Sequence, residues 1–275
     1  MSSDQRPTFV QSLLAGGVAG TSVDLLFFPI DTIKTRLQSS QGFKASGGFS
    51  GIYKGVGSVV IGSAPGAAAF FSTYEAMKKV LPLSEELAPV KHMIAASVAE
   101  VAACMIRVPT EVIKTRMQTS TYGAQGASSL QAARLVMSSS GIKGFYRGFG
   151  ITVMREIPFT SLQFPLYELL KVKLATKIDR KVLYAHEAAV CGSIAGGFAA
   201  ALTTPLDVLK TRVMLDTRTS SKELPSLAAR LRSIYVNEGP KALFSGVVPR
   251  TLWISAGGAV FLGVYEWAVH GLMGV

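Results

Sequence analysis

One pattern that occurs three times constrains this 275-residue chain more than any other feature. Each copy places an acid two residues after a proline, a lysine three residues after that acid, and an arginine two residues later; a Tyr-Glu pair follows each copy. The copies are 29–36, 109–116 and 205–212, and the Tyr-Glu pairs are 74–75, 167–168 and 265–266. A long internal repeat of this kind indicates one structural unit used several times. The sequence therefore predicts three repeats, over 1–84, 85–178 and 179–275.

Charge is sparse and unevenly distributed along the chain. Charged residues make up 16% of the sequence and hydrophobic residues 49%, whereas a soluble domain carries about 25% charged residues. Six stretches hold few or no charged side chains, and a transmembrane helix needs about 20 mostly apolar residues. We therefore expect an all-α membrane protein with six spans, at 7–30, 55–74, 92–106, 148–167, 188–206 and 251–265.

Basic residues concentrate in the loops after the first, third and fifth spans. A nucleic-acid binder would instead gather its basic residues on one polar face. Although the net charge is +11, the basic residues here alternate with long neutral stretches, so we expect no nucleic-acid partner. Basic loops of a membrane protein stay on the side from which it is inserted. These three loops therefore define one loop-rich face, and both termini are expected on the opposite face.

The charged residues of the repeated pattern predict a ring at the loop-rich face. A proline late in a membrane helix bends it, and three bent helices around a pseudo-threefold axis bring their acids and lysines together. Charges inside a membrane are costly and are usually paired. The expected pairs are Asp31 with Lys114, Glu111 with Lys210, and Asp207 with Lys34.

The Tyr-Glu pairs predict a second ring at the other face, formed by Glu75, Lys78, Glu168, Lys171 and Glu266. The expected pairs are Glu75 with Lys171 and Glu266 with Lys78, which leaves Glu168 facing Val269 without a partner. Two rings that cannot both be closed during passage of a substrate describe alternating access.

With these motifs over its whole length, the chain resembles the mitochondrial carrier family. The resemblance implies a monomeric six-helix transporter of the inner membrane, with short matrix-side helices and a central cavity, and not an enzyme with a cofactor or metal. It makes the loop-rich face the matrix face and the opposite face that of the intermembrane space. It also implies cardiolipin contacts near residues 53–55, 146–148 and 244–246, and glutamine braces on the matrix ring at Gln38 and Gln118, with Met214 in the third copy.

Within this family, several stretches resemble the carriers that transport S-adenosylmethionine. They are 23–25, 106–109, 155–159, 163–165 and 199–207. This narrower resemblance implies import of S-adenosylmethionine into the matrix, in exchange for S-adenosylhomocysteine.

Residues that break the threefold symmetry are the candidates for binding an asymmetric substrate. Asp24 stands where the other repeats have Cys104 and Ala200, and Glu100 stands where they have glycine. Asp24 lies seven residues before Asp31, close to two helical turns, so the two acids share a helix face. The neighbouring Arg107 is one turn from Glu111, which makes Glu111 its expected partner.

Each chemical group of S-adenosylmethionine has a candidate partner. Asp24 and Glu100 are expected to receive its positive groups, and Arg155 its carboxylate in a forked pair. Glu156 is expected to hold the ammonium; the family resemblance marks this Arg-Glu pair as a contact for amino-acid-like ligands. Stacking on adenine or a cation–π contact with the sulfonium falls to Trp253, Phe70 or Phe71.

Three other interpretations compete with this hypothesis. A carrier for a basic amino acid or another nucleoside-type metabolite belongs to the same class. A membrane methyltransferase would need a nucleotide-binding glycine loop, and none follows a strand-like segment here. A purely structural scaffold gives no reason for acids that break the symmetry between two charged rings.

The missing base in the third copy leads to a first prediction. Val269→Lys should slow turnover, because it completes the pair with Glu168 and stabilises the closed ring on the Tyr-Glu side. Exchange rates in proteoliposomes measure this effect, and turnover equal to that of the unsubstituted chain would contradict it.

Overall fold

The computed structural model describes residues 9–81, 88–123, 128–178, 184–217 and 225–273. All regular secondary structure in these residues is helical. The helices are α1 (Phe9–Gln38), α2 (Val56–Val80), α3 (Ala88–Gln118), α4 (Ser129–Phe145), α5 (Phe149–Ile178), α6 (Ala185–Leu202), α7 (Thr204–Leu215), α8 (Leu227–Glu238), α9 (Pro240–Leu243) and α10 (Val247–Met273).

The six predicted spans fall on six long helical segments: α1, α2, α3, α5, α6 with α7, and α10. Two described helices, Val56–Val80 and Met93–Gln118, are long and apolar enough to cross a membrane by themselves. The pair Glu187–Leu202 and Thr204–Leu215, bent by 62°, is a third candidate. Among the other segments, α5 carries the Arg155-Glu156 pair, so its composition is that of a helix that also faces a polar interior.

Helices on the loop-rich side are present in two repeats, and the first repeat differs. The second repeat has α4 there, and the third has α8 and α9. In the first repeat, residues 39–55 form a series of turns instead of the expected short helix. The physical reason is glycine, since five glycines in this segment adopt positive φ, which a helix does not accommodate. They are Gly42, Gly47, Gly48, Gly51 and Gly55.

The proline of each repeat has a different effect on its helix. α1 and α3 continue through Pro29 and Pro109, whereas the third repeat breaks into α6 and α7 at Thr203. Thr203 is not helical there, with φ −90° and ψ 5°, and Pro205 begins the new helix. Proline favours the first turn of a helix, where its missing N–H leaves no bond unmade.

The arginines of the repeated pattern join the repeats at the loop-rich face. Each donates from Nε to a backbone carbonyl at the end of the next repeat's helix, where carbonyls have no partner within the helix. The bonds are Arg36 to Gln118 at 2.7 Å, Arg116 to Met214 at 3.1 Å, and Arg212 to Gln38 at 3.2 Å. The three bonds follow one another around the axis and close into a ring.

Arg212 has a further partner at the end of α8. Its two terminal nitrogens donate to the Glu238 carboxylate, and these hydrogen bonds hold the pKa of Glu238 below its usual range. The ion pair fixes α8 against α7 outside the membrane-spanning segments.

Three glycines at the starts of the even spans allow close approach between repeats. Gly55, Gly148 and Gly246 all have positive φ. A Cβ on Gly55 would lie 3.2 Å from the Lys114 carbonyl oxygen, and a Cβ on Gly246 would lie 3.2 Å from that of Lys34. Each of these two glycines therefore lets its segment pack directly on the backbone beside a ring lysine.

This close approach makes Gly55→Ala destabilising. The left-handed backbone and the short distance to Lys114 should lower the free energy of unfolding by about 1–2 kcal/mol. Gly57→Ala is the matched control, because its Cβ would make only an ordinary contact of 3.5 Å with Ser129. Thermal unfolding in detergent compares them; equal losses for both variants would contradict the prediction.

Candidate functional site

A central cavity of about 690 Å³ lies between the long helices. Among the described residues, six acids and six bases line it, together with aromatic and small residues. All seven predicted substrate-binding residues are among the lining residues: Asp24, Phe70, Phe71, Glu100, Arg155, Glu156 and Trp253. The sequence therefore identified side chains that the fold brings to one space.

Three ion pairs lie at the end of the cavity towards the loop-rich face. They join the residues that the repeat predicted: Lys114 Nζ to Asp31 at 2.7 Å, Lys210 Nζ to Glu111 at 2.5 Å, and Lys34 Nζ to Asp207 at 2.7 Å. Each pair connects two repeats. The ring is therefore closed on this side in this conformation.

Two glutamines extend the ring, as the resemblance implied. Gln118 Nε2 donates to Asp31 Oδ2 at 3.1 Å, and Gln38 Nε2 donates to Asp207 Oδ2 at 3.0 Å. Both glutamines are fully buried. The third copy has Met214 instead, and Oε2 of Glu111 is buried without a hydrogen-bond partner. Two of the three ion pairs are therefore braced.

Asp24 is held by a neutral partner. Ser63 Oγ on α2 donates to its Oδ2 at 2.9 Å, and no lysine or arginine of the described residues forms an ion pair with it. A carboxylate that lines a cavity with one neutral hydrogen bond retains acceptor capacity for a ligand.

Glu100, and not the predicted Glu111, is the ion-pair partner of Arg107. Arg107 contacts Glu100, two helical turns away, rather than Glu111, and Cys104 Sγ also donates to Glu100 at 3.3 Å. The physical reason is that the ring lysine Lys210 already contacts Glu111, while a seven-residue spacing leaves Glu100 on the face of Arg107. Glu100 therefore lies in the cavity as half of an internal ion pair.

Arg155 and Glu156 contact each other at the cavity wall. Arg155 is also 3.8 Å from Asp207 of the ring, and its Nε is buried without a hydrogen-bond partner. On an ideal helix, Arg155 would not lie on the same face as Glu168. Two prolines, Pro158 and Pro165, lie within α5 between Arg155 and Glu168.

Ser63 and Arg250 are two of the polar cavity residues that were not predicted from the sequence. Ser63 is the partner of Asp24. Arg250 is 1% exposed and lies 3.1 Å from Asp207. The available signal for Arg250 was its position four residues after Gly246, where the other repeats have Val59 and Thr152.

The residues of the second predicted ring pair within their own helices. Lys78 is 3.1 Å from Glu75, and Lys171 is 3.0 Å from Glu168. The predicted pair between Glu75 and Lys171 is not formed in this conformation, because spacing by three residues brings each lysine to its own glutamate. Glu168, which was expected to lack a partner, contacts Lys171. The side chain of Glu266 lies outside the described residues, so its pair with Lys78 stays a prediction.

Tyrosines complete these two sites. The Lys78 ammonium lies 5.3 Å from the Tyr74 ring centre and the Lys171 ammonium 4.7 Å from that of Tyr167. Both distances allow a cation–π interaction. Glutamate and tyrosine thus hold each lysine on its own helix at the end of the cavity away from the closed ring.

The family described as mitochondrial carrier protein matches three successive segments, 5–84, 85–177 and 181–275. The chain belongs to the mitochondrial carrier family. The carrier is therefore a transporter of the mitochondrial inner membrane and not an enzyme. Together with the helical structure, family membership confirms the all-α membrane fold built from three repeats.

Named relatives cover nearly the whole carrier. The mitochondrial S-adenosylmethionine carrier protein of Mus musculus is 52% identical, over 95% of this chain and 94% of its own length. That of Danio rerio is 50% identical, over 95% of this chain and 97% of its own. The putative mitochondrial carrier protein PET8 of Saccharomyces cerevisiae is 51% identical, over 97% and 95%.

The brace on Asp31 leads to a stability prediction. Gln118→Met, which places the residue of the third copy in the second, should lower the free energy of unfolding by about 1–3 kcal/mol, because a hydrogen bond to a charged group is lost. Gln41→Met is the control, since Gln41 is exposed. Thermal unfolding of the purified carrier measures both, and an unchanged midpoint for Gln118→Met would contradict the prediction.

Proposed function

We propose that this carrier imports S-adenosylmethionine into the matrix in exchange for S-adenosylhomocysteine, by alternating access. The observation that carries the proposal is the cavity itself. It is closed on one side by three ion pairs, and its lining includes both Asp24 and the Arg155-Glu156 pair. The names of relatives that are about 50% identical, mitochondrial S-adenosylmethionine carrier proteins, support the same substrate.

The charged groups of the cavity match those of the substrate. The amino acid part of S-adenosylmethionine carries an ammonium and a carboxylate, and Arg155 with Glu156 offers the complementary two charges. A ligand of this kind replaces one internal ion pair with two, one to each side chain, and the forked guanidinium suits a carboxylate. Asp24, whose one hydrogen-bond partner among the described residues is Ser63, is the group for the sulfonium.

Glu100 has a secondary part in this proposal. Because Arg107 contacts it, Glu100 receives a positive group of the ligand only when Arg107 moves aside. The Arg107 side chain is 42% exposed, which leaves it room to move. Asp24 is therefore the better candidate of the two predicted acids for binding a positive group of the ligand.

Aromatic side chains supply the surface for adenine. The ring centre of Phe70 is 5.6 Å from that of Phe71, with the rings at 90°, and Phe70 also stacks on Tyr74 with ring centres 6.2 Å apart. Phe71 is 43% exposed, so it offers free ring surface. Trp253 lines the cavity from α10. We assign adenine stacking to Phe71 or Trp253, with Phe70 as their support.

The gates follow from the two rings. The matrix gate consists of the three lysine–acid pairs with Gln38 and Gln118, and it is closed in this conformation. The cytoplasmic gate consists of Glu75, Lys78, Glu168, Lys171 and Glu266. Its described lysines are held on their own helices, which fits a conformation that receives substrate from the intermembrane space.

Orientation, assembly and lipid contacts complete the proposal. The basic loops support an orientation with the loop-rich face in the matrix and both termini in the intermembrane space. The central cavity lies within one chain, which supports a monomeric working unit. Cardiolipin is expected near residues 53–55, 146–148 and 244–246, at the starts of the even spans.

A carrier for a basic amino acid is the second candidate. The Arg155-Glu156 pair fits the backbone of any amino acid, and Asp24 fits a cationic side chain. Adenine distinguishes the two candidates, because a basic amino acid has no aromatic ring to stack on this surface.

Exchange in liposomes tests the proposal. The purified carrier is reconstituted with internal S-adenosylmethionine, and uptake of the labelled compound is followed in the presence of S-adenosylhomocysteine, lysine, arginine or ATP. Saturable uptake that requires internal substrate and is inhibited by S-adenosylhomocysteine is expected. Exchange of lysine or arginine without S-adenosylmethionine would favour the second candidate and contradict the first.

Asp24→Asn tests the cation site with little change of shape. We expect KM for S-adenosylmethionine to rise at least about tenfold, since one charge-assisted contact is lost. The rise should be smaller for S-adenosylhomocysteine, which has no sulfonium.

Glu187→Gln is the control, because this carboxylate lies outside the cavity and accepts a hydrogen bond from the backbone N–H of Tyr184 at the start of α6. Equal affinity of Asp24→Asn and the unsubstituted carrier would rule out Asp24 as a ligand group.

A further inference from the structure

Arg250 gives the third repeat a charge that the other two repeats lack. Gly55, Gly148 and Gly246 begin equivalent even spans, and the residues four positions later are Val59, Thr152 and Arg250. The same repeat is the one whose helix breaks, between α6 and α7. The charge and the break are therefore two departures from symmetry in one repeat.

The contacts of Arg250 connect these two departures. Its Nη1 donates to the Thr203 carbonyl oxygen at 3.3 Å, and its Nη2 donates to Thr203 Oγ1 at 2.9 Å. Thr203 is the residue at which the helix breaks. Nη1 also lies 3.1 Å from Oδ1 of Asp207, one turn into α7. One buried guanidinium thus holds both the break and a ring carboxylate.

The two carboxylate oxygens of Asp207 contact residues of different repeats. Oδ2 accepts from Lys34 at 2.7 Å and from Gln38 at 3.0 Å, both from the first repeat. Oδ1 faces Arg250 of its own repeat, and Arg155 lies further away at 3.8 Å. Asp207 therefore has a cationic partner that does not belong to the interface between the third and first repeats.

Asp31 provides the comparison within the same ring. Lys114 and Gln118 both contact its Oδ2, and both belong to the second repeat. Among the described residues, no arginine forms an ion pair with Asp31. Separation of the repeats therefore removes every direct partner of Asp31 in the ring but leaves Asp207 with Arg250.

We propose that Arg250 is a positioning residue for transport, which stays with Asp207 as its counter-ion when the Lys34–Asp207 pair opens. The inference rests on the proposed matrix gate. A buried carboxylate that loses its partner is strongly destabilised, and Arg250 prevents this at Asp207. Its bonds to Thr203 keep it beside the break. The interface between the third and first repeats consequently opens more easily than that between the first and second.

A thermal-unfolding cycle tests the inference without any substrate. The full-length carrier is purified in detergent as Lys34→Ala, Lys114→Ala, Arg250→Gln and the double variant Lys34→Ala with Arg250→Gln. Lys34→Ala should lower the melting temperature less than Lys114→Ala, because Asp207 keeps a counter-ion. The double variant should lose more than the sum of its single variants, by about 3 °C or more.

Additive losses in the double variant, or an equal loss for Lys34→Ala and Lys114→Ala, would overturn the inference. If Arg250→Gln yields no folded protein, Arg250→Lys takes its place in the cycle. A lysine reaches Asp207 or Thr203 but cannot bond both as the planar fork does. The expected excess loss with Arg250→Lys is then smaller but still present, and additivity again overturns the inference.

Transport kinetics separate positioning from substrate binding. Arg250→Gln should lower the maximum exchange rate at least about tenfold and change KM less than about threefold, because the rate of gate opening is affected and the ligand contacts are not. Arg250→Lys should recover part of the rate. A rise in KM at an unchanged maximum rate would instead make Arg250 a ligand group and overturn the inference.

Failure of the substrate assignment is distinguishable from failure of this inference. If the unsubstituted carrier exchanges lysine or arginine but no S-adenosylmethionine, the substrate proposal fails. The kinetic comparison is then made with the compound that is exchanged, and the thermal cycle is unaffected.

Discussion

Partly buried lysine–carboxylate pairs between neighbouring repeats are the interaction on which the rest of this structure depends. Charges inside a membrane protein are costly and are usually paired, and here the ring lysine that contacts Asp31, Glu111 or Asp207 belongs to another repeat in each case. The three repeats therefore need one another. The arginine-to-carbonyl ring beside these pairs follows the same order around the axis, so the closed end is secured by charge and by backbone hydrogen bonds.

Much of this could be predicted from the sequence because the repeat fixes equivalent positions. Once Pro29, Pro109 and Pro205 are aligned, each acid has one equivalent lysine on the next repeat, and the three pairs follow. The location of Asp24 in the cavity followed from its seven-residue distance to Asp31. The ion-pair ring and the cavity lining depend on periodicity, which the sequence displays directly.

The remaining features depend on the reach of side chains and on local backbone geometry. Arg107 has two glutamates within reach along its helix. It contacts Glu100, because Lys210 from another repeat already contacts Glu111. The turns at 39–55 and the break at Thr203 are properties of one repeat each, so alignment of the three copies does not predict them. Arg250 was missed for the same reason, since it contacts Thr203 at the helix break, which only the third repeat has.

The balance of fixed charge in the cavity has an electrical consequence. Its six acids and six bases cancel in formal charge. A ligand with one net positive charge, such as S-adenosylmethionine, then crosses with its own charge uncompensated by the protein. Moving one charge through a membrane potential of about 100 mV changes the free energy by about 2.3 kcal/mol. Under the proposed exchange, with neutral S-adenosylhomocysteine on the return path, each cycle would carry one positive charge towards the negative matrix, and the membrane potential would drive uptake.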